Sequence, residues 1–484
     1  MQKEIIINKN IVSAFFEIDK PEESLWIKIE TDEKVPMTVL LFNPEKVFCG
    51  NVIPGIGSFI REIYISKEVC TLTGLKHELS GGKYALIFLY GGSFEKGAYT
   101  VKLSVETDSR KSYASYYCQN ETSSGYSFDS LYSRETRYYK GDFHGHTIFS
   151  DGHNNIEEAA GILEDRKLDF MAFTEHNGIA FGESIPSCLL IPSMELTLPI
   201  GHMNIHGIQS GNMLSGLLDL AVKAATEETE AEIGFDEIWR GAVSFLSEEA
   251  NLSLNHMFLT PWQFCKEDYD LSGLHTLEVI CDPTYKDSPE ANDKAAAFLD
   301  FLWNKGRHLY GIGGSDSHNR PEELYENSEE PSLYGDPATY VYCEGLSVNN
   351  LIKGIKKGHC YAARYVNLDI SICQGKYLPG DEITEQEEIE YRVTVRNVAK
   401  PMYGVFLLNG GKLKEQALSE GSQMTCKICP NGDWWFRFGI YDEESHVICY
   451  VNPIYKESGA PKVQPDFKIL WEEFHEQYDK RNSV

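Results

Sequence analysis

Positive charge is scarce in this sequence. Lys and Arg number 44 against 73 Asp and Glu, which gives a formal net charge of −29. A chain this negative repels phosphate backbones, so a nucleic-acid polymer is not expected as a partner. The charge does not exclude a small-molecule substrate, and the sequence does not indicate an oligomeric state.

Long apolar segments are also lacking. No stretch approaches the length of a transmembrane helix, so no membrane association is expected. The opening MQKEIIINKNIVSAFFEIDK has no long apolar run and no small-residue cleavage site, which predicts that it is not a signal peptide. Twelve cysteines are scattered through apolar segments such as LEVIC and HVICY. Buried thiols in a reducing cytoplasm are the expected explanation.

Several catalytic signatures are missing. The sequence contains no P-loop, no GxGxxG and no GxSxG, so neither nucleotide-driven nor serine-hydrolase chemistry is indicated. One CxxC pair occurs, Cys426 and Cys429. Because no second pair and no helix follow it, a redox or zinc role is not expected there.

The 484 residues exceed what one core usually holds, and hydrophobic periodicity divides them into three regions. Residues 1–130 alternate apolar and polar side chains, as in YTVKLSVE, which predicts an N-terminal β-sandwich. Residues 366–484 alternate in the same way, as in IEYRVTVRN, and predict a C-terminal β domain.

Residues 131–365 have a different pattern, in which short apolar runs alternate with helix-like segments. NNIEEAAGILEDRK predicts a helix with Asn154 or Asn155 as its N-cap, and SPEANDKAAAFLDFLWNKG predicts another. An acidic, helical insertion is expected around 210–250 and a polar loop over 319–337. The predicted fold class is α/β, since such alternation is typical of a parallel sheet or a barrel.

Histidines concentrate in one part of the central region. Six of the 14 lie within a short span: His144, His146, His153, His176, His202 and His206. Clusters of His with Asp and Glu supply the nitrogen and oxygen ligands that divalent metals need. Histidines outside such clusters are expected to be ordinary: His77, His275, His308, His446 and His475.

Each candidate ligand follows the end of an apolar strand-like run. LDFMAFT leads into Glu175 and His176, LSLN leads into His256, and LYGIGG leads into the segment SDSH at 315–318. In β/α barrels the carboxyl ends of the strands form the rim of the active site. His144 and His146 would share one face of an extended segment. The sequence therefore predicts a divalent-metal site.

These motifs resemble those of a known superfamily. FHGHTIFSDG (143–152), TEHN (174–177), SMELTLPIGHMN (193–204), NH (255–256) and GGSDSH (313–318) are similar, in order, to those of PHP metallohydrolases, the polymerase and histidinol phosphatase-like superfamily. The combination of MELT and GHMN with flanking β domains resembles most the CehA/McbA-type branch. The resemblance implies a distorted (β/α)7 barrel holding two or three divalent ions.

The resemblance also implies a ligand set. One ion would be held by His144, His146, Glu195 and Asp316; a second by Glu195, His202 and His256, with Glu195 bridging; a third by Asp151, His176 and His318. Glu175 stands where the family more often has Asp, and it is expected to orient a neighbouring ligand. The pattern gives His153 no ligand role. Mixed nitrogen and oxygen ligation suits Zn, Mn or Fe.

Three further residues are candidates for catalysis. His206 is either a general acid near the leaving oxygen, a substitute ligand for His202, or a residue that supports a ligand. Arg320 and Arg364 are the basic residues nearest the motifs, and each is either a phosphate-binding group or a surface arginine.

Three functions remain open on the sequence. A metal-dependent phosphoesterase acting on a small organic phosphate or nucleotide is favoured, because superfamily precedent is broader there. A metal-dependent hydrolase of a non-phosphate ester, amide or carbamate is the first alternative, because the CehA/McbA-type branch that the sequence resembles most is named for a carbamate hydrolase. A non-catalytic, metal-stabilised scaffold that binds a partner is the second alternative. A scaffold would be expected to have lost some ligands, and here every motif position is filled.

Overall fold

A computed structural model of the chain describes residues 1–34, 37–55, 60–71, 74–90, 97–107, 117–118, 127–178, 185, 187–198, 200–209, 235–265, 271–326, 328–385, 388–457 and 466–482. The expected insertion around 210–250 is described only from 235 onward. Its first part, 210–234, lies outside the described residues.

The N-terminal region consists of two antiparallel sheets. One contains, in spatial order, β1 (Gln2–Ile7), β9 (Tyr99–Thr107), β3 (Ser24–Thr31), β6 (Ile60–Ser66), β7 (Cys70–Thr71) and β10 (Tyr117–Cys118). The other contains β2 (Ile11–Ile18), β8 (Gly82–Tyr90), β4 (Met37–Phe42) and β5 (Phe48–Val52). In β9, Val101, Leu103 and Val105 are buried in the core, as their alternation predicts.

A second large sheet runs from the central region into the C-terminal region. Its order is β13 (Leu189–Leu190), β12 (Phe170–Met171), β11 (Ser133–Asp142), β19 (Ala338–Leu346), β20 (Cys360–Ala363), β27 (Val447–Val451), β26 (Trp434–Asp442), β23 (Met402–Leu408) and β24 (Gly411–Ala417), with β28 (Ile454–Lys456) paired to β26. β20, before residue 366, thus pairs with β27, after it. The domain boundaries at 130 and 365 stay predictions.

A five-stranded sheet supplies most of the strand ends in which the sequence placed metal ligands. Its order is β14 (Ser193–Leu198), β15 (Gly201–His206), β16 (Asn251–Leu254), β17 (Thr276–Cys281) and β18 (Tyr310–Gly314). β14, β15 and β16 are joined antiparallel, whereas β16, β17 and β18 are parallel.

The described hydrogen-bonded ladders do not form a (β/α)7 barrel, so the expected architecture is met only in part. The region is richer in β-structure than the α/β pattern predicts, because the hairpin of β14 and β15 stands where a crossover helix would join parallel strands. Two isolated parallel bridges connect the sheets, Gly145 to Ser317 and His176 to Glu195.

Helices are few among the described residues: α1 (Ile156–Asp165), α2 (Phe235–Leu246), α3 (Ser288–Asn304), α4 (Val348–Lys356) and α5 (Phe467–Asn482), with a 3-10 turn at Cys373–Gly375. None of them is long and apolar enough to cross a membrane. Asn155 caps α1, accepting a hydrogen bond from the Glu158 N–H while the Glu158 carboxylate accepts one from the Asn155 N–H.

The C-terminal region adds a small antiparallel sheet: β21 (Asn367–Ile372), β22 (Ile389–Arg396) and β25 (Gln423–Ile428). The buried residues of β22, Ile389, Tyr391, Val393 and Val395, alternate with more exposed ones, as predicted. They form one hydrophobic core with β23 and β26 of the large sheet.

Candidate metal centre

The structure brings all nine sequence-predicted ligands into one largely buried cluster: His144, His146, Asp151, His176, Glu195, His202, His256, Asp316 and His318. They lie after β11, after β12, in β14 and β15, after β16 and after β18. Strand ends from two sheets therefore meet where the sequence placed the site.

The first group consists of His146, Asp151, His176 and His318, whose donor atoms lie within 4.8 Å of one another. Asp151 Oδ1 lies 3.3 Å from Nε2 of both His176 and His318. This buried oxygen nevertheless has no hydrogen-bond partner. The possible metal-donor atoms of these four residues therefore converge on a point where the Asp151 oxygen lacks a protein hydrogen bond.

Glu195 lies at the centre of the second group. Its Oε1 is 3.4 Å from His256 Nε2, 3.5 Å from His144 Nε2 and 3.0 Å from His202 Nδ1. Its Oε2 is 2.7 Å from His176 Nδ1. A carboxylate that faces both sides in this way can bridge two ions.

The third group contains His144 and Asp316, with a residue that the sequence did not single out, Cys281. Asp316 Oδ1 lies 3.1 Å from Nε2 of His144 and 3.1 Å from Nε2 of His146. The two Nε2 atoms are only 3.2 Å apart.

Two imidazoles are oriented by hydrogen bonds on their far sides. His144 Nδ1 lies 2.8 Å from Glu278 Oε1, and His318 Nδ1 lies 2.7 Å from the carbonyl oxygen of Asp316. An Nδ1–H that donates to oxygen leaves the Nε2 lone pair free for a metal. Both Nε2 atoms face cluster carboxylates.

Glu278 contacts the cluster, and sequence reasoning missed it. It is fully buried in β17, and its Oε2 also accepts the backbone N–H of His256 at 3.1 Å. The signal was present in the segment TLEVIC, since a carboxylate within a buried apolar strand needs a partner.

Charges in the cluster compensate one another. Burial would raise the pKa of Asp151, Glu195 and Asp316, but the neighbouring histidines hold each carboxyl pKa well below its usual range. Burial disfavours protonated His144 and His176, yet the nearby carboxylates raise both pKa values well above the ordinary one. Protonated imidazoles thus balance these carboxylates, and a divalent cation could balance them in place of the protons.

The backbone is strained at the same point. His256, Asp282 and Asp316 have positive φ values of 23°, 37° and 49°. Such conformations disfavour side chains other than glycine and concentrate at functional sites. Gly314 leaves room there, because a Cβ atom at this position would lie 2.4 Å from the Cβ of His144.

The first motif loop is held from two sides. Thr147 donates to Glu175 from its N–H at 3.0 Å and from its hydroxyl at 2.6 Å, and Ser150 donates to the same carboxylate. Burial raises the pKa of Glu175 to about 7. Arg61 of the N-terminal sandwich donates to the carbonyl oxygens of Ile148 and Ser150 at 3.0 and 2.9 Å.

The structure does not place His206 in any of the three groups of possible metal donors. Its Nε2 lies 2.7 Å from the Phe143 carbonyl oxygen, and its Nδ1 lies 3.0 Å from Asn251 Nδ2. Burial lowers its pKa to about 3, so the ring is neutral. With both ring nitrogens engaged, His206 has no free site for the proton transfer or metal binding predicted for it.

The two predicted phosphate-binding arginines are engaged elsewhere. Arg364 is buried and donates to both oxygens of Asp336 and to Glu330, each at 2.9 Å. Arg320 pairs with Glu158, with its Nε 3.3 Å from a carboxylate oxygen. These ion pairs fit structural roles, because each guanidinium already faces a carboxylate.

Histidines expected to be ordinary lie outside the cluster groups: His77, His275, His308, His446 and His475. His153 pairs with Glu323 at 2.6 Å, consistent with a loop residue. Cys426 and Cys429 form no disulfide bond.

The residues present fit divalent ions. Asp151 Oδ1 is a buried acceptor without a hydrogen bond, and two histidines direct lone-pair nitrogens at each other and at one carboxylate. Cations placed in the separate donor groups would satisfy these atoms. The donor set is mainly imidazole and carboxylate, which binds Zn, Mn and Fe ions in proteins.

No family model matches the chain, and no curated protein matches it significantly. Similar solved structures include a two-domain protein from Bacteroides vulgatus that contains a predicted PHP-like metal-dependent phosphoesterase; the identity is 15%, the TM-score 0.35 and the coverage 67% of this chain and 98% of that one. An amidohydrolase from Chromobacterium violaceum, with bound sulfate and no metal, is 16% identical with a TM-score of 0.25, covering 39% of this chain and 91% of that one. These likenesses are too weak to decide the fold or the activity, and the CehA/McbA-type branch stays a prediction.

Proposed function

We propose that the chain is a metal-dependent hydrolase, acting on a small organic phosphoester. The observation that carries this proposal is the buried convergence of three carboxylates and six imidazoles, with Asp151 Oδ1 lacking a hydrogen bond. Clustered divalent ions lower the pKa of bound water and stabilise charge on the attacked group.

The ligand assignment follows the three groups of donors. His146, Asp151, His176 and His318 would hold one ion, and His144 with Asp316 another. Glu195, His202 and His256 would hold a third, with the Glu195 carboxylate shared between neighbours. Glu278 orients His144, and the backbone carbonyl of Asp316 orients His318.

Charge favours a phosphoester substrate. Three divalent ions would carry more positive charge than the three ligand carboxylates and Glu278 carry negative charge, and the positive centre could hold a phosphate group without an arginine. Because Arg364 and Arg320 already pair with carboxylates, they are not expected to bind the substrate directly.

The same arginine ion pairs favour a second candidate function. A non-phosphate ester, amide or carbamate needs no guanidinium clamp, and the ions could polarise its carbonyl group instead. This candidate predicts turnover of neutral substrates with the same ligand dependence.

We further propose that the central region forms a distorted seven-stranded barrel. The bridges Gly145–Ser317 and His176–Glu195 extend β11 to β18 and β12 to β14. With the remaining ladders they would complete a ring of strands, and the cluster lies beside both bridges. The N-terminal sandwich would support this ring through Arg61 and the first motif loop.

The decisive experiment is a turnover panel on chelator-stripped protein reloaded separately with manganese, zinc or iron(II). The substrates are a phosphomonoester, a phosphodiester, a carboxylic ester and an N-methylcarbamate. Asp316→Ala tests the cluster, and Asp369→Ala on the exposed face of β21 is the matched control.

Metal-dependent phosphoester turnover that Asp316→Ala lowers by roughly a hundredfold or more, but Asp369→Ala does not, supports the phosphoesterase. Turnover confined to the neutral substrates supports the second candidate. Phosphoester turnover that survives both Asp316→Ala and chelation contradicts the proposal.

A further inference from the structure

A register shift in β17 changes the face of the sheet on which the Cys281 side chain lies. Glu278 lies opposite Ile312 of β18 and Ile280 lies opposite Gly313, so two steps along β17 match one step along β18. The next pair is Cys281 with Gly314. Since a bulge of this kind re-aims the residues that follow it, Glu278 and Cys281 share one face of the sheet.

That face is the one directed at the cluster. Glu278 Oε1 contacts His144 at 2.8 Å, and Cys281 Sγ lies with a ring nitrogen of His144 and a carboxylate oxygen of Asp316 within a 4.8 Å span. Zinc binds thiolate at about 2.3 Å and imidazole at about 2.0–2.1 Å, so donors of one ion can stand up to roughly 4.4 Å apart. The 4.8 Å bound on the separations in this group is comparable with that limit.

Cys281 is also held firmly in place. Its backbone N–H donates to Asn292 Oδ1 at 3.0 Å, and Asn292 Nδ2 donates to its carbonyl oxygen at 3.0 Å. The opposing Gly314 has no side chain, and a Cβ atom there would lie 2.7 Å from Glu278 Oε1. Both features keep the thiol beside the His144 ring.

We infer that the Cys281 thiolate is a ligand of the ion held by His144 and Asp316, which makes this a mixed nitrogen, oxygen and sulfur site. The inference rests on the proposed metal centre and adds a donor that the motif pattern does not contain. Binding forms a metal–sulfur bond, and the thiol proton is released to solvent. A soft sulfur donor favours zinc, cobalt or iron over manganese at this position.

The test uses the full-length protein stripped of metal and loaded with cobalt(II). A thiolate ligand gives a sulfur-to-cobalt charge-transfer absorption in the near ultraviolet, which nitrogen and oxygen ligands do not give. We expect this band in the wild type and its loss in Cys281→Ser. Cys343→Ala, a buried cysteine of β19 outside the cluster groups, is the matched control and keeps the band.

A second measurement does not depend on the variant folding. X-ray absorption of the zinc-loaded wild type should show a sulfur scatterer at about 2.3 Å. Only nitrogen and oxygen scatterers, or a charge-transfer band that persists in Cys281→Ser, would overturn the inference. Hydrolysis with no sulfur signal would refute this ligand alone, whereas a sulfur signal without hydrolysis would refute the proposed activity alone.

Discussion

His206 offers a quantitative test of the structure. Its ring is fully buried between the Phe143 carbonyl oxygen and the Asn251 amide, and burial lowers its pKa to about 3. In the unfolded chain the pKa of histidine is about 6.5. Below pH 6.5 the His206 side chain is therefore protonated in the unfolded chain but stays neutral in the folded protein until the pH approaches 3.

The sign and size follow from proton linkage. Stability rises with pH wherever the unfolded state binds more protons, and each pH unit is worth about 1.4 kcal/mol for one group. The contribution of His206 is fully present above pH 6.5 and is lost as the pH falls towards 3. Between pH 7.5 and 5.0 this one residue should lower the free energy of unfolding by about 2 kcal/mol.

Urea denaturation of the wild type and of His206→Gln at pH 7.5 and 5.0 measures this contribution. His206→Gln leaves hydrogen-bonding groups of Phe143 and Asn251 without their partner, so it should be less stable than the wild type by about 1–3 kcal/mol at pH 7.5. Its loss of stability on acidification should nevertheless be smaller than that of the wild type by about 2 kcal/mol.

His446 provides a control of opposite sign. Burial lowers its pKa, but Asp293 at 2.7 Å outweighs burial and raises it above the ordinary value. Its contribution is present below pH 6.5 and is lost as the pH rises, so His446→Gln should lose more stability than the wild type on acidification. Equal losses in the wild type and His206→Gln would refute the neutral, buried assignment of His206.

Three further predictions concern the cluster and its surroundings. Glu278→Gln should weaken metal binding by about 10–100-fold in a competitive chelator titration, because His144 loses its orienting carboxylate, whereas the exposed Glu344→Gln should not. Arg364→Ala should lower the free energy of unfolding by about 3–5 kcal/mol in urea, since it leaves the nearly buried Asp336 unpaired, and should leave the metal content of the folded protein unchanged. Gly314→Ala should reduce metal content, measured by elemental analysis, because its Cβ would displace the His144 ring.

Local patterns predicted much of this architecture. The alternation in β9 and β22 identified half-buried strands, and Asn155 was among the two N-cap candidates. The nine proposed ligands were found because strand ends converge in space and because the motifs occur in order. These features depend on short stretches of sequence, so the sequence alone reveals them.

Features that depend on pairing between distant segments were not predictable. The bulge in β17 places Cys281 on the face of Glu278, whereas strict alternation would place it on the opposite face. The partners of His206 and Arg364 come from other elements, so a histidine or arginine near a motif could not be told from a catalytic one. The hairpin of β14 and β15 likewise breaks the expected alternation of strand and helix.

The ladder between β20 and β27 has a consequence for how the chain can be cut. Tyr361 and Ala363 lie opposite Val451 and Cys449, so a protein ending near residue 366 would expose the paired edge of β20. A bare, apolar strand edge invites pairing with other chains. By pairing with β20, β27 covers an edge at which other chains could add. Amide hydrogens of both strands should therefore exchange with solvent in a single opening event.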